Sequence, residues 1–477
     1  MIRNAIAGGA AGQANSPSGG RLPVGPDAHT ATPIAAPAAE PLDDTVTHAL
    51  DHAYQALDPD TARLYRDLGA LPLPSARIDP GMAGAASGLD PAATIGHLTD
   101  LAKAGLIAPI DNSTIMCEFV AIDGRRHAAA LGRREDGTDR TDTARRRALD
   151  WMVAEASTAS RALHPFRRHV AHILYPPPHR AALATTAQAL AWFHLRGPYL
   201  RTVLESADAH GLDDITAHLA HACWPWLLRQ RDYTLWLWTY DHAIPAAQRL
   251  ANPATPRPGA SRLILRELYG ARATVRRALG HHTDAMEDCH AALALARDDR
   301  DDTGQAQHLH DLGACAHEAH GHQLARVYLT EALRRRTELG NRRDTGVTRV
   351  ALAITFHELG DSGAALLHLS TAHDELTAAG DDLNAARARA WQGRIHADRG
   401  EHAQADTAFA EAMNAFVTQN APAWQARTLL WTAENTGATG STDMAAEMLR
   451  HAHTLYAGSP SDQDKVATAA RRLGITL

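Results

Sequence analysis

From about residue 262 to residue 457 the chain repeats every 40 residues without drift. One column of the repeat is Gly280, His320, Gly360, Gly400 and Gly440. Seven positions before it stand Ala273, Gly313, Ala353, Gly393 and Ala433. Five positions after it stand Ala285, Ala325, Ala365, Ala405 and Ala445, and twelve after it Ala292, Ala332, Ala372, Ala412 and Ala452. All fifteen flanking positions are alanine or glycine, and Arg300, Gly340, Gly380 and Asn420 follow twenty positions after the first four markers. Two helices cross closely only where side chains are small, and helical hairpins of equal length must end each helix at the same place. A period held over five units therefore predicts five stacked helical hairpins. Such a stack needs a cover at its end. Residues 458–477, with DQDKVATAARRL followed by Gly474, predict a capping helix.

The first half has no such rhythm. Residues 1–42 are rich in Ala, Gly, Pro and Ser and poor in large apolar residues, the composition of a disordered tail. Residues 43–135 read as helix, helix, short helix, helix, strand, turn, strand, helix, the order of a winged-helix-like domain. Asp58 or Asp60 caps the helix DTARLYRDLGAL, and Asp90 before Pro91 caps PAATIGHLTDLAKAG, which Gly105 ends. LIAPI and IMCEFVAI are strands joined across Asp111, Asn112 and Ser113. RREDGTDR at 133–140 reads as a polar linker, and 141–250 as a helical spacer. In the spacer, Trp236 and Ala243 sit five and twelve positions after Arg231, a degenerate copy of the repeat. PATPRPG at 253–259 breaks the chain before the repeats. The fold class expected is mainly α: a winged-helix-like N-terminal domain followed by an α-solenoid.

Net charge is −7, which gives no overall pull toward nucleic acid or anionic membrane. Within 43–121 four basic residues face eleven acidic ones, and the candidate DNA-reading helix offers only Lys103, next to Asp100. A DNA reader draws most of its affinity from neutralising phosphates, so direct DNA binding is the second choice for this domain. The four cysteines form no CxxC pair, and no apolar run approaches membrane-spanning length. A reduced cytoplasmic protein is expected. No GxxxxGK[ST], GxSxG or HExxH is present, so neither an enzyme nor a cofactor is expected. His308, His310, His317, His320 and His322 cluster in one repeat, with Cys289 and Cys315 as neighbours in sequence. A histidine-rich metal or enzymatic protein is the third alternative. The cluster Trp224, Trp226, Trp236 and Trp238 reads as core rather than as an aromatic cage.

The small-residue columns resemble the tetratricopeptide repeat (TPR), in the 40-residue form of bacterial signalling regulators. A second resemblance covers 45–250. LDPDTARLYRDLGALP, HLTDLAKAGLI, RRALDWMVAEASTASRALHP and ALAWFHLRGPYLRTVLESADAHG, in this order, resemble the stretch between the nucleotide-binding domain and the TPRs of actinobacterial STAND regulators. That family couples an NB-ARC ATPase to a winged helix, a spacer and TPRs. Here the ATPase motif is missing, since neither Lys103 nor Lys465 follows a glycine. The stretch after the wing, EFVAIDGRRHAAALG, also departs from the family's Arg/His-Asp pattern. The resemblance implies a regulatory, non-catalytic protein whose winged helix is an internal relay.

In TPRs the first helix of each pair lines the concave face. The resemblance then places His310, His317, His357, Arg387, Arg394, Arg427 and Glu434 on that lining, with Trp391 and Trp431 one residue from lining positions. The lining reads as basic and partly aromatic, suited to an acidic or mixed apolar–acidic peptide or protein segment. The Lys/Asn carboxylate clamp of cochaperone TPRs is absent. Arg145, Arg146 and Arg147 form a basic stretch with two readings, a solvated helix face or a surface for an acidic partner.

Overall fold

The computed structural model describes residues 44–72, 77–110, 116–121, 123–177, 179, 181, 183–252, 254, 258–457 and 460–476. The expected tail at 1–42 and the turn Asp111 to Ser113 lie outside the described residues. The described residues fall into two compact bodies, one up to Ala271 and one from Arg272. None of the described helices is long and apolar enough to cross a membrane.

The first body begins with α1 (Asp44–Gln55), α2 (Pro59–Gly69), β1 (Arg77–Ile78), α3 (Pro80–Ser87), α4 (Pro91–Lys103), β2 (Ile107–Pro109), β3 (Cys117–Phe119) and α5 (Gly124–Leu131). Aspartates start the helices. Asp58 accepts from the amides of Asp60 and Thr61, and Asp90 from that of Ala93, so each satisfies donors that a helix start leaves open. Asp58, not Asp60, is the cap. The sheet is antiparallel with β3 in the middle, Ile107 opposite Phe119 and Ile78 opposite Cys117. β1 was not expected from the sequence. Two residues are too short to show alternation, and it is a strand only because β3 supplies its partner.

The polar run 133–140 is not a linker. A π-helical turn, Gly132–Asp136, passes directly into α6 (Gly137–Leu163). Its charges are held locally: Arg66 pairs with Glu135 and Asp136, and Arg140 with Asp67 and Asp136. α6 packs against α3, α7 (Thr186–Arg196) and α9 (Asp213–Gln230). Its buried positions run from Ala148 through Ser157 on every face, as in the middle of a bundle. α8 (Leu200–Ala209) and α10 (Tyr233–Leu250) complete the bundle. α9 ends at Arg231, φ 56°, with Trp236 and Ala243 both fully buried, as the degenerate repeat requires.

The second body is an α-solenoid of TPR-like pairs. The end of α11 (Pro258–Ala278), from Arg272 on, meets α12 (His282–Asp298) through Arg272 and Arg276 on Asp288; α13 (Asp302–Glu318) pairs with α14 (His322–Glu338), and α15 (Arg342–Glu358) with α16 (Ser362–Ala378). α17 (Asp382–Asp398) pairs with α18 (His402–Thr418), and α19 (Pro422–Ala438) with α20 (Thr442–Leu455). Nine turn positions, from Gly280 through Arg300 and His320 to Gly440, have positive φ, between 47° and 93°. This left-handed residue stops each helix and lets the next amide reach back to an open carbonyl. The ten alanines five and twelve positions after the markers are fully buried. At Gly393 an added Cβ would lie 2.6 Å from the Phe409 ring, so the glycine makes room for the larger partner. α21 (Pro460–Arg472) follows the last pair, and its Val466, Ala469 and Ala470 share one buried cluster with Ala433, Leu449 and Tyr456.

Candidate functional site

The first helices of successive pairs touch: α13 with α15, α15 with α17, and α17 with α19. Their shared side carries a ladder of charges running across three pairs. His357 Nε2 on α15 lies 3.0 Å from Asp398 Oδ2 on α17. Arg394 Nε donates to the same carboxylate at 3.1 Å, and Arg394 Nη1 donates to Glu434 Oε2 on α19 at 2.5 Å. Side-chain exposures of 17% for His357, 33% for Asp398, 31% for Arg394 and 28% for Glu434 leave the ladder partly exposed. Burial pushes the Asp398 carboxyl up, but the His357 hydrogen bond and the Arg394 charge hold it below its ordinary value.

Beside the ladder, the Arg387 and Arg427 guanidinium groups lie 4.8 and 5.0 Å from the Trp424 ring centroid. Trp391 and Trp431 meet at 4.9 Å, both nearly buried. The expected lining is thus partly corrected. Arg387 and His310 are each 2% exposed and belong to the interior. Arg387 Nη1 donates to Asn384 Oδ1 at 2.6 Å, and burial followed by the neighbouring Arg427 charge pushes the guanidinium down to about 9. His317 Nδ1 lies 3.2 Å from Thr355 Oγ1, with its ring against His322. Burial, then His322, pushes it down to about 4. Arg394 is balanced by Asp398 and Glu434, so the open lining is mixed in charge rather than basic.

Sequence reasoning missed Asp398, Asn384 and Trp424. Asp398 had a signal. Arg277, His317 and His357 recur at one repeat position, and Glu318, Glu358 and Asp398 recur one residue and one period later. Arg277 and Glu318 form a bidentate, fully buried pair at 2.7 and 2.9 Å, the counterpart of His357 and Asp398.

The remaining candidates are used internally. Arg146 is paired with Asp150 and Asp214, Arg145 with Asp142, and Arg147 lies 5.4 Å over the Tyr175 ring. The stretch 145–147 is therefore not the open basic face expected as one reading. Side-chain exposures of 16% for Arg145 and 12% for Arg146 follow from these pairings. Trp224, Trp226 and Trp236 are core, and Trp226 stacks on Phe193 with an 8° interplanar angle. Cys289 and Cys315 do meet, with Sγ atoms 3.9 Å apart and both thiols buried. Among the described residues no group of three or more His, Cys, Asp or Glu is placed to hold a metal ion. On α4, Lys103 is tied to Asp100 at 2.8 Å. The exposed face of that helix is otherwise Ala92, Ile95, Gly96 and Thr99, without a cation for phosphate.

No protein-family model matches the chain, and no curated protein matches it. Similar solved structures include BtubC (BKLC) from P. vanneervenii, at 18% identity over 47% of this chain and 91% of that one, TM-score 0.40. Another is the STAND protein PH0952 with a tetratricopeptide repeat sensor from Pyrococcus horikoshii, at 12% identity over 92% of this chain and 64% of that one, TM-score 0.45. A third is the apo quorum sensor NprR from B. thuringiensis, at 12% identity over 58% of this chain and 77% of that one, TM-score 0.41.

Proposed function

We propose that the chain is a non-catalytic regulatory binding protein that holds a peptide or protein segment along the first-helix face of its solenoid. The observation that carries this is the partly open ladder His357–Asp398–Arg394–Glu434. Two carboxylates and a guanidinium beside a histidine, on three touching helices, suit a segment of mixed polarity, with Arg427 and Trp424 beside them for an acidic or apolar side chain. The N-terminal part of the first body, with its helix–strand–helix–helix–strand–strand order, is winged-helix-like and STAND-derived. In this reading it contacts protein rather than DNA, because the exposed face of α4 is neutral, with Ile95 on it, apart from Asp100 and the Lys103 paired with it.

The test is affinity purification from the native host, followed by titration of the purified partner. Arg394→Ala/Arg427→Ala should weaken binding by about tenfold or more, as for loss of central charged contacts. Arg387 is left intact because it supports the fold. Equal affinity of this variant and wild type would sink the groove assignment. A salt-dependent gel shift lost on Lys103→Ala would instead favour the DNA-binding alternative.

A further inference from the structure

The arginines of α17 and α19 fall into two kinds. Arg389 holds Glu411 at 2.6 Å, and Arg394 holds Asp398 and Glu434. Arg387 is buried and donates to Asn384. Arg427, the one arginine of α19, is half-buried, and among the described residues no carboxylate lies within ion-pair reach of it. It rests on the Trp424 ring, one turn back on the same helix, and shares that ring with Arg387. Asp381, the acid that supports Arg387, is already held by Arg343 Nε at 2.8 Å and by Asn384 Nδ2 at 2.7 Å. The solenoid thus keeps a second cation close to a buried one and gives it no acid of its own. The two disfavour each other, since after burial the Arg427 charge is the next cause that pushes Arg387 down.

An anion would relieve this. An arginine resting on an aromatic ring is ordered in advance, and its fork of N–H donors matches a carboxylate through two parallel bonds. Partial burial reduces the screening that weakens such a pair at a fully exposed site. The other end of the same helix is different. Arg427 and Glu434 stand seven residues apart on α19, hence on one side of it and about 10.5 Å apart along its axis. Glu434 and Asp398 are bonded to Arg394 and His357, and a carboxylate has lone pairs for more than one donor. An extended segment rises about 3.3 Å per residue, so roughly three residues span from one end to the other.

We propose that Arg427 is the seat for a carboxylate of the bound segment, and that a basic side chain about three residues away meets Glu434 and Asp398. This rests on the first-helix face being the binding face. It gives that face a polarity, with an anion seat at one end and a balanced charge pair at the other.

A synthetic random nonapeptide library, half amidated and half with free C termini, is captured on the full chain and on Arg427→Gln, and bound peptides are sequenced by mass spectrometry. Expected are peptides specific to wild type with a carboxylate about three residues from a lysine or arginine. The two halves tell a side-chain carboxylate from a terminal one. Such a peptide, remade, should bind Arg427→Gln about tenfold or more weakly, as for loss of a charge-assisted hydrogen bond. The same peptide with its carboxylate changed to an amide should lose as much on wild type and should no longer distinguish wild type from Arg427→Gln. Arg427→Lys keeps the charge without the fork and should fall between. The peptide comparison uses the wild-type chain, so it holds even if the variant is less stable. Peptides that need Arg394 but not Arg427, or that bind equally well without their carboxylate, overturn this inference and leave the binding face standing. Affinity indifferent to the position of the basic residue overturns the polarity. Peptides that need neither arginine, or no bound peptide at all, overturn both readings.

Discussion

The two bodies of this chain are both helical, yet opposite means hold them together. In the solenoid, alanine meets alanine at a 40-residue interval, and each contact is local and interchangeable with the next. In the first body, single unrepeated residues carry the structure: Asp150 and Glu155 under the amides of Tyr175 and Ala181, Arg146 between two aspartates, and Trp226 on Phe193. A periodic body spreads its stability over many small contacts, whereas an aperiodic one concentrates it in a few buried polar groups. Damage should therefore be graded in the first and severe in the second.

The largest effect expected is from Asp150→Ala, which takes away one of the two carboxylates held by Arg146 and the acceptor of the Leu174 and Tyr175 amides. The transition of the first body in urea should lose roughly 3–5 kcal/mol, as when one partner of a buried pair is removed. A loss below about 1 kcal/mol would break the contrast.

Acid should strike both bodies through histidine. His317 and His169 are each pushed down to about 4, foremost by burial, so both are neutral when folded. Unfolded histidine titrates near 6.5, so between roughly pH 6.5 and 4 the unfolded chain binds more protons. Stability is then full above that window and falls as pH drops through it, by roughly 2 kcal/mol or less per group. Denaturation midpoints across this range should flatten in His317→Gln and His169→Gln, each for its own body. An unchanged slope in both would refute this.

Within the solenoid the contacts should be transferable. Gly393→Ala pushes a Cβ against Phe409 and should cost about 1–3 kcal/mol. Adding Phe409→Leu reproduces the pair Ala353 and Leu369 one repeat earlier and should recover most of the loss. Failure of the double variant to recover would show that the repeats are less equivalent than their spacing suggests. The smallest effect is a gain. His320 and Asn420 hold left-handed φ of 59° and 47°, and either one replaced by glycine should add about 0.5–1 kcal/mol to the thermal or urea stability of the solenoid.

This contrast also explains what could be read beforehand. The turns at Arg300, His320 and Asn420 were placed by register alone, although none is glycine, because four other repeats supplied the frame. The caps Asp58 and Asp90 were legible because capping is local. The charge ladder was half legible. Arg394 and Glu434 share a repeat position, but that Asp398 joins His357 to Arg394 depends on how neighbouring pairs stack. Arg387 was misplaced for the same reason, since a lining position becomes interior where Trp424 closes over it. In the first body no frame existed, and nothing in HILYPPPH announces that buried carboxylates far back in the chain will hold its amides.

A stack of equivalent hairpins has no length of its own, since each end resembles the surface that the next unit would cover. α21 brings Val466, Ala469 and Ala470 into one buried cluster with residues of the preceding pair. Its outer side carries the exposed pair Arg471 and Asp464, unlike the apolar cluster beneath it. Removing α21 would uncover apolar surface of the preceding pair, and an uncovered end of this kind is adhesive, a surface on which copies could assemble head to tail.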